Sequence, residues 1–224
     1  MTPTHSKLPP HIPLQALDQI SSKILGKGAW LMLEESSYML PAHDGQAAQL
    51  RRWEVCRRKR DEKIRVGGMV DGVDILAILL SPNCSPRCVL VLQYRPALLA
   101  YTLEFPSGLI DPGENPAEAA CRELKEETGY TGEVVSISEP VPYEPGMSDS
   151  CSCFVKMTID ITLPENLNPV PLLEADEWSL QRVEVPMNDL LDVIHEFQRT
   201  YSSLIRIDSR LYTFALALNS SLIQ

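Results

Sequence analysis

The stretch GLIDPGENPAEAACRELKEETGY, residues 108–130, decides the fold of this 224-residue chain. Its centre predicts a helix over 116–128, because proline fits the first helical turn and Asn115 is a good N-cap. Gly129 can adopt the left-handed conformation in which helices commonly end. The stretch therefore predicts a loop, a helix and a second loop.

Three acidic side chains of this helix share one face. Glu123, Glu126 and Glu127 are spaced by three and four positions, so they project about one turn apart. Their mutual repulsion becomes favourable if a hard divalent cation, which prefers oxygen ligands, binds among them. A solvated acidic face is the commoner explanation for such charges in isolation. Both interpretations stay open on this spacing alone.

Other residues of this segment are expected to hold the helix in its place. Arg122 could orient or neutralise a neighbouring acid such as Glu114. The opposite side is expected to be buried and carries Ala117, Ala120, Cys121 and Leu124.

The composition limits the classes of partner. A formal net charge of −10 provides no sequence-wide positive field for nucleic acid, so an anionic ligand needs local devices such as metal ions or placed arginines. The basic run 57–60 could be a nucleic-acid or nuclear-localisation patch, but its place in a predicted strand favours a solvated strand face. No stretch approaches about 20 apolar residues, so no membrane span is expected.

The six cysteines and the N-terminal residues indicate the cellular compartment of the protein. No second CxxC pair or histidine cluster accompanies the cysteines, so free thiols in a reducing compartment are expected, with a structural zinc as the alternative. MTPTHSKLPPHIPLQ has no apolar run and is not expected to be a secretory signal. We expect a cytoplasmic protein, with the nucleus as a second compartment.

Around the central helix the chain alternates between strands and helices. Short β-branched runs bounded by turn residues predict strands at 29–39, 50–58, 73–80, 88–94, 103–105, 134–138, 152–162 and 178–185. Helical spacing predicts helices at 14–24, 188–201 and 209–219. The pattern indicates an α/β sandwich with a small N-terminal antiparallel sheet. The expected organisation is an arm with a short helix (1–25), a β domain (26–62) and the main domain (63–224).

The stretch 108–130 resembles the Nudix box, G-x5-E-x7-R-E-U-x-E-E-x-G-U, at every fixed position. Only the last slot departs, with aromatic Tyr130 where an aliphatic residue is usual. The resemblance implies an α/β/α sandwich and a hydrolase of nucleoside diphosphates linked to another group. Nudix modules that bind a nucleotide without hydrolysing it commonly lose glutamates of the Nudix box. This chain retains those glutamates, so an enzyme is favoured.

The same resemblance implies a metal site for Mg²⁺ or Mn²⁺. Glu123 and Glu127 match the main metal ligands, and Glu126 matches an assisting acid. The backbone carbonyl of Ser107 would complete the site. Such a metal would neutralise the diphosphate and lower the pKa of a bound water.

Further segments resemble the ADP-ribose pyrophosphatase branch of that family. They are QYRP (93–96), LEFPSGLID (103–111), EPGMSD (144–149) and YTFALAL (212–218), and the likeness runs over about 28–218. The usual form has alanine where this chain has Ser107, which is harmless if only the backbone acts there. The branch implies hydrolysis of ADP-ribose to AMP and ribose 5-phosphate, with Gly146 and Ser148 of EPGMSD near the substrate.

In that branch the N-terminal sheet is exchanged between the subunits of a homodimer and helps to build the nucleotide pocket. By position, Trp30 and Trp53 match the aromatics that sandwich the adenine, with core or interface packing as the alternative. Glu54 and Arg58 would reach polar edges of the ligand. Arg95 is expected to grip phosphate, with a structural ion pair as the alternative.

The branch also places a glutamate on a loop after the central strands, where it activates water or completes the metal site. LLEADEW puts Glu177 at that position, with Glu174 and Asp176 as competitors. Three acids on a loop are by default only solvated charge. Another nucleoside diphosphate sugar, a dinucleotide or an oxidised nucleotide remains an alternative substrate.

Overall fold

The computed structural model describes residues 17–42, 45–59, 70–82 and 84–220. The expected N-terminal arm, Arg60 of the basic run and the side chain of Asp176 lie outside the described part. The chain divides into two compact units. One comprises residues 1–60 with 144–149, and the other comprises 61–143 with 150–224.

In the described part of the first unit, three strands form an antiparallel sheet in the order β1-β2-β3. They are β1 (Gln19–Lys27), β2 (Leu31–Leu40) and β3 (Gln49–Arg58). The helix predicted over 14–24 is therefore wrong from residue 17 onward. The pairing of β1 with β2 has irregularities between Gln19 and Ser21 and between Ile24 and Gly26. Of the apolar residues behind that prediction, β1 contains only Ile20 and Ile24. Their separation of four positions fits one face of a strand as well as one face of a helix.

In the described part of the second unit, nine strands form one mixed sheet. They are β4 (Gly72–Ser81), β5 (Cys84–Arg95), β6 (Ala100–Glu104), β7 (Ser107–Leu109), β8 (Glu133–Ile137), β9 (Val141–Pro142), β10 (Cys151–Asp160), β11 (Gln181–Pro186) and β12 (Ile205–Ile207). The path is β12-β6-β5-β4-β10-β8, with β11 on β5, β7 on β4 and β9 on β10. The β4–β10 and β6–β12 pairs are parallel, and the other pairs are antiparallel.

Within the described residues, three α-helices cover this sheet: α1 (Pro116–Thr128), α2 (Leu190–Tyr201) and α3 (Ser209–Asn219). A hydrophobic core lies on each face of the sheet. Successive side chains of β4 pack into one core or the other, because they point to opposite faces. Val73 and Ile75 pack with Leu124 of α1, whereas Leu76 packs against the cluster that holds Ile194 of α2 and Leu211 of α3. The predicted α/β sandwich is confirmed, with α1 on one face of the sheet and α2 and α3 on the other.

Some sequence-based bounds are wrong. The last predicted long strand was expected from residue 178, but β11 begins at Gln181. Residues 175–177 instead form a single 3₁₀ turn. Among the described residues, no helix has both the length and the apolar character that crossing a membrane requires.

Candidate active site

Both ends of α1 are fixed by local hydrogen bonds. The side chain of Asn115 accepts the N–H groups of Ala117 and Glu118 at 2.9 and 3.1 Å, and the Glu118 carboxylate accepts the Asn115 N–H at 2.9 Å. This reciprocal capping box satisfies N–H groups that a helix leaves free. Gly129 ends the helix with φ +77° and donates its N–H to Lys125. The predicted loop–helix–loop is therefore a rigid frame for the acids.

Arg122 gathers the acids of this segment around one guanidinium. It binds Glu114 in a fork, with Nε–Oε1 at 2.8 Å and Nη2–Oε2 at 2.9 Å. Its Nη1 donates to Glu123 at 2.8 Å and to Glu126 at 3.0 Å, and its Nη2 donates to the Leu109 carbonyl at 2.9 Å. The predicted contact with Glu114 is confirmed, and Arg122 also offsets the charge of two of the three helix acids.

Glu127 is the most deeply buried of the acids. It is 2% exposed, and its Oε2 accepts the Ser107 N–H at 2.9 Å. Burial raises the pKa of Glu127 well above its ordinary value, with the Glu123 and Glu177 charges adding to the shift and the Ser107 N–H opposing it. A carboxylate in such a place requires a compensating cation when it ionises.

Glu123 lies directly over Gly108. It is 8% exposed, and a Cβ at Gly108 would overlap its carboxyl group. Burial raises the pKa of Glu123, whereas Arg122 opposes the shift. The glycine is required here for space, since its backbone lies outside the positive-φ region. The first glycine of the segment thus makes room for a candidate metal ligand.

The donor chemistry of this cluster fits a hard divalent cation. Glu123 and Glu127 supply buried carboxylate oxygens, and burial is the main cause that raises the pKa of both, so a cation would favour their ionised form. In the described part of the chain, no three acidic, histidine or cysteine side chains converge into a ready-made ligand set. Glu123 and Glu126 point to Arg122, and Glu127 to the Ser107 N–H. Metal binding therefore requires these carboxylates to exchange some of those contacts.

Arg95 makes the structural ion pair that was the alternative to phosphate binding. Its Nε and Nη2 donate to Glu104 at 2.9 and 2.7 Å. Glu104 is buried and also accepts the Thr102 hydroxyl. The pKa of Arg95 is raised by these hydrogen bonds first, and the Glu127 charge adds to the shift. Part of the Arg95 guanidinium is thus held by Glu104, and the arginine also interacts electrostatically with Glu127.

Glu174 and Glu177 lie at the two ends of one short 3₁₀ turn. Glu177 closes the 3₁₀ turn Ala175–Glu177, where its Oε2 accepts the Glu174 N–H at 2.7 Å. Burial is the main cause that raises the pKa of Glu123 and Glu127, and the Glu177 charge adds to both shifts. Glu174 is exposed. Glu177 thus interacts electrostatically with the helix acids.

The residues predicted to surround the adenine lie in the first unit. Trp53 is 52% exposed, and its indole N–H donates to the Gly146 carbonyl at 2.9 Å. Trp30 is 83% exposed, and Glu54 and Arg58 are exposed on β3. Neither tryptophan is a core residue, so the interpretation of both as core packing is wrong.

Residues 144–149 belong to this unit because residues of β3 bind them through hydrogen bonds and an ion pair. The Cys56 N–H donates to the Met147 carbonyl at 2.8 Å, and Cys56 forms an isolated bridge with Ser148. Arg57 binds Asp149 at 2.5 Å and lies 3.3 Å from Glu34. Arg57 was expected on a solvated strand face, which is wrong, since its side chain is only 24% exposed. Its neighbours Arg58 and Lys59 are exposed as expected.

A NUDIX domain model matches residues 71–205, which include α1 and most of the large sheet. The chain belongs to the Nudix family. It is 33% identical to an ADP-sugar pyrophosphatase of Mus musculus over 88% of this chain and 85% of that protein. It is 44% identical to an ADP-ribose pyrophosphatase of Saccharomyces cerevisiae over 51% of this chain and 50% of that one.

A solved structure supports the architecture of this Nudix hydrolase. That of an ADP compounds hydrolase matches with a TM-score of 0.55 and 20% identity, covering 86% of this chain and 100% of that one. At this identity the likeness shows the fold. Nudix hydrolases generally use a divalent metal, which agrees with the donor chemistry of α1.

A buried polar network of this Nudix hydrolase was missed from sequence. Asp74 of β4 is 1% exposed and binds Arg210 at 2.7 Å, and Arg210 also binds Asp208 at 2.7 Å and stacks over Tyr143 at 4.7 Å. Burial raises the pKa of Asp74, whereas Arg210 opposes the shift. The one available signal was an aspartate inside the apolar run VDILAILL. Its partner lies 136 positions away, which no local pattern could indicate.

Proposed function

We propose that this Nudix hydrolase cuts the pyrophosphate bond of ADP-ribose, and of related ADP-sugars, to give AMP and a sugar phosphate. The observation that carries the proposal is the pair of buried carboxylates, Glu123 and Glu127, on the capped helix of a complete Nudix box. The names of the relatives supply the substrate class, since ADP-sugar and ADP-ribose pyrophosphatases match the chain.

The helix acids are the residues that would hold the cofactor, Mg²⁺ or alternatively Mn²⁺. Glu123 and Glu127 provide the main oxygen ligands, Glu126 assists, and the Ser107 carbonyl lies next to the N–H that holds Glu127. A bound divalent ion would neutralise the diphosphate and lower the pKa of a water. Arg122 returns the Glu123 and Glu126 carboxylates to a defined place between turnovers.

Glu177 is proposed as the base. It accepts a proton from the attacking water, whose oxygen bonds to one phosphorus while the bridging phosphorus–oxygen bond breaks. The leaving phosphate keeps the electrons of the broken bond, giving AMP and ribose 5-phosphate. Arg95 has a side chain that is 43% exposed beyond its ion pair, so its remaining N–H groups can contact phosphate.

Adenine binding is proposed to use a homodimer. Trp53 is paired with Ser36 on β2, six positions along the chain from Trp30 (36 − 30). At about 3.3 Å per residue, the two backbone positions are about 20 Å apart. Rings in contact have centroids only about 4.5–7 Å apart, so a base held between two indoles needs a much shorter span. One Trp30 and one Trp53 from different subunits would meet this requirement, with Glu54, Arg58, Gly146 and Ser148 at the edges of the pocket.

The proposed location is the cytoplasm, with the nucleus as a second compartment. All six cysteines are free thiols, which fits a reducing environment. The proposed partner is the small nucleotide substrate, with no nucleic acid or membrane, because the net charge of −10 repels polyanions.

A substrate panel tests the proposal. ADP-ribose, ADP-glucose, UDP-glucose, a diadenosine polyphosphate and 8-oxo-dGTP are each incubated with the protein and Mg²⁺, and the products are separated by ion-exchange chromatography. We expect AMP from ADP-ribose at the highest kcat/KM. A higher kcat/KM for UDP-glucose, the diadenosine polyphosphate or 8-oxo-dGTP would show that the substrate belongs to that other class. Binding of ADP-ribose without any cleavage would make the protein a sensor.

A further inference from the structure

The segment that carries Glu177, residues 164–180 between β10 and β11, is fastened at its start by a buried amide. Asn166 is 3% exposed, and its side chain donates to the Thr131 and Asp160 carbonyls at 2.9 and 3.0 Å. It also accepts the Thr131 N–H at 2.8 Å. This loop, called the strap below, therefore starts from a fixed point beside the loop that follows α1.

The middle of the strap lies against the C-terminal end of α1. The Leu172 N–H donates to the Glu126 carbonyl at 2.7 Å. A Cβ on Gly129 would overlap the backbone of Val170. The helix that carries the acids and the strap that carries Glu177 are thus in direct backbone contact.

Arg182, just after the strap, joins these parts. Its Nη1 donates to the Thr128 carbonyl, one of the carbonyls that the helix end leaves without a helical partner. The same nitrogen donates to the Pro169 carbonyl of the strap at 3.3 Å. A cation at this end of a helix is also favoured by the helix dipole. One guanidinium therefore binds the helix and the strap together.

Tyr130 and Glu184 hold Arg182 in place. The guanidinium carbon lies 4.7 Å from the centroid of the Tyr130 ring, and Nε lies 3.3 Å from Glu184. The Tyr130 hydroxyl donates to Glu184 at 2.8 Å. Burial is the main cause that raises the pKa of Tyr130 to about 12, so the hydroxyl stays a donor at neutral pH. An aliphatic residue, usual at this last slot of the box, could make neither contact.

We propose that Tyr130, Arg182 and Glu184 form a positioning unit that fixes the strap to α1 and so sets the place of Glu177 relative to Glu123 and Glu127. The inference rests on the proposed role of Glu177. None of the three touches the reacting atoms, and they act through the strap. The aromatic departure at the end of the Nudix box thereby acquires a function in this chain.

The test combines hydrogen exchange with a mutant cycle. Tyr130→Phe keeps the buried ring and removes only the hydroxyl that donates to Glu184. Arg182→Gln removes the positive charge and the guanidinium N–H groups that contact the helix, the strap and Glu184. Each is made alone and in a Glu177→Gln background. Arg199→Gln is the control, since that arginine pairs with Glu196 on the exposed face of α2. Amide exchange of residues 164–180, melting temperature, kcat and KM for ADP-ribose are measured.

We expect faster exchange in the strap of both variants, with the rest of the protein unchanged. For Arg182→Gln we expect kcat to fall by about 100-fold at nearly constant KM, since a misplacement of about 1 Å can cost that much. Tyr130→Phe should show a smaller fall in the same direction. In the Glu177→Gln background neither change should lower kcat further. Arg199→Gln should behave as wild type.

Three results are decisive against parts of this account. Unchanged strap exchange in Arg182→Gln would overturn the fastening. An equal loss of kcat with and without Glu177 would show that the unit does not act through that residue. Wild-type activity of Glu177→Gln would remove the proposed base itself, and the exchange data would still report separately whether the unit fastens the strap.

Discussion

Among single residues, the central feature is that acidic side chains of α1 are buried. Glu123 and Glu127 are 8% and 2% exposed, whereas an acidic helix face in isolation would be solvated. A buried carboxylate without a cation destabilises the folded state when it ionises. The same two residues should therefore limit stability without metal and provide activity with metal.

The pH dependence of stability reports this burial. Burial raises the folded pKa of Glu127 well above 4.5, so its stabilising contribution is complete below 4.5 and is lost as pH rises through the folded pKa. Metal-free wild type should thus lose stability relative to Glu127→Gln as pH rises, since glutamine does not ionise. Melting temperatures of both proteins in EDTA, measured from pH 4 to 8, test this. A difference that stays constant across the range would contradict it.

Gly108→Ala should abolish most activity without unfolding the protein. The added Cβ overlaps the Glu123 carboxyl group and displaces it, which we expect to lower kcat by about 100-fold. Leu109→Ala is the matched control, because Leu109 is 51% exposed and contacts Arg122 only through its backbone. Steady-state kinetics and melting temperatures separate the two effects. Equal kinetics for both variants would show that the space over Gly108 is not needed.

At the scale of single residues, contacts within one short motif could be predicted from the sequence. The link between Arg122 and Glu114 was predictable because both lie in one short segment. Cys121 was predicted to be buried and is exposed, while Glu127 is buried instead. The helix turns its acids inward because Arg122 and the Ser107 N–H receive them, and hydropathy alone cannot indicate such partners.

Among the elements, α1 was predicted over the residues that the structure shows, because its start and end signals are local. Proline, asparagine and glycine act on their immediate neighbours. β1 was predicted as a helix because Ile20 and Ile24, four positions apart, fit either one face of a helix or one face of a strand. Element type is therefore predictable where caps decide it and unreliable where pairing with another strand decides it.

The capping box should contribute measurably to the stability of the second unit. Asn115→Ala removes the acceptor for the N–H groups of Ala117 and Glu118, which we expect to cost about 1 kcal/mol in the free energy of unfolding. Asn115→Asp keeps an acceptor and should remain close to wild type. Urea denaturation followed by circular dichroism measures both. A loss in Asn115→Asp as large as that in Asn115→Ala would contradict the capping role.

For the whole molecule, the strand order of the large sheet could not be predicted from sequence. The alternation of strands and helices predicted the sandwich, but the parallel pairing of β4 with β10 joins residues far apart in the chain. Residues 144–149 belong to the first unit, because Trp53 and Arg57 of β3 bind them. Such assignments depend on contacts between distant segments, which one sequence does not reveal.

Mixed dimers test the proposed adenine pocket. In Trp30→Ala and Trp53→Ala homodimers every pocket lacks one indole, which we expect to weaken binding by about 1–3 kcal/mol. A dimer with one subunit of each variant would contain one complete pocket and one without either indole. Isolated with two different affinity tags, it should recover about half the wild-type kcat/KM per dimer, as two independent pockets require.

Failure of the mixed dimer to exceed either homodimer would contradict the proposal that the two tryptophans of one pocket come from different subunits. A monomeric wild-type protein in sedimentation equilibrium would contradict it too. A mixed dimer that carries Arg199→Gln in one subunit serves as the control, since that arginine pairs with Glu196 on the exposed face of α2 and the change leaves both tryptophans in place.

The most direct measurement of the central claim is AMP release from ADP-ribose by wild type and Glu127→Gln, each in EDTA and after Mg²⁺ is restored. We predict no AMP from either protein in EDTA. With Mg²⁺ we predict a rate for Glu127→Gln at least about 100-fold below that of wild type, because loss of a group that supports a metal ligand already costs up to that much. AMP release in EDTA, or at the wild-type rate by Glu127→Gln, would contradict a metal-dependent hydrolase built on the acids of α1.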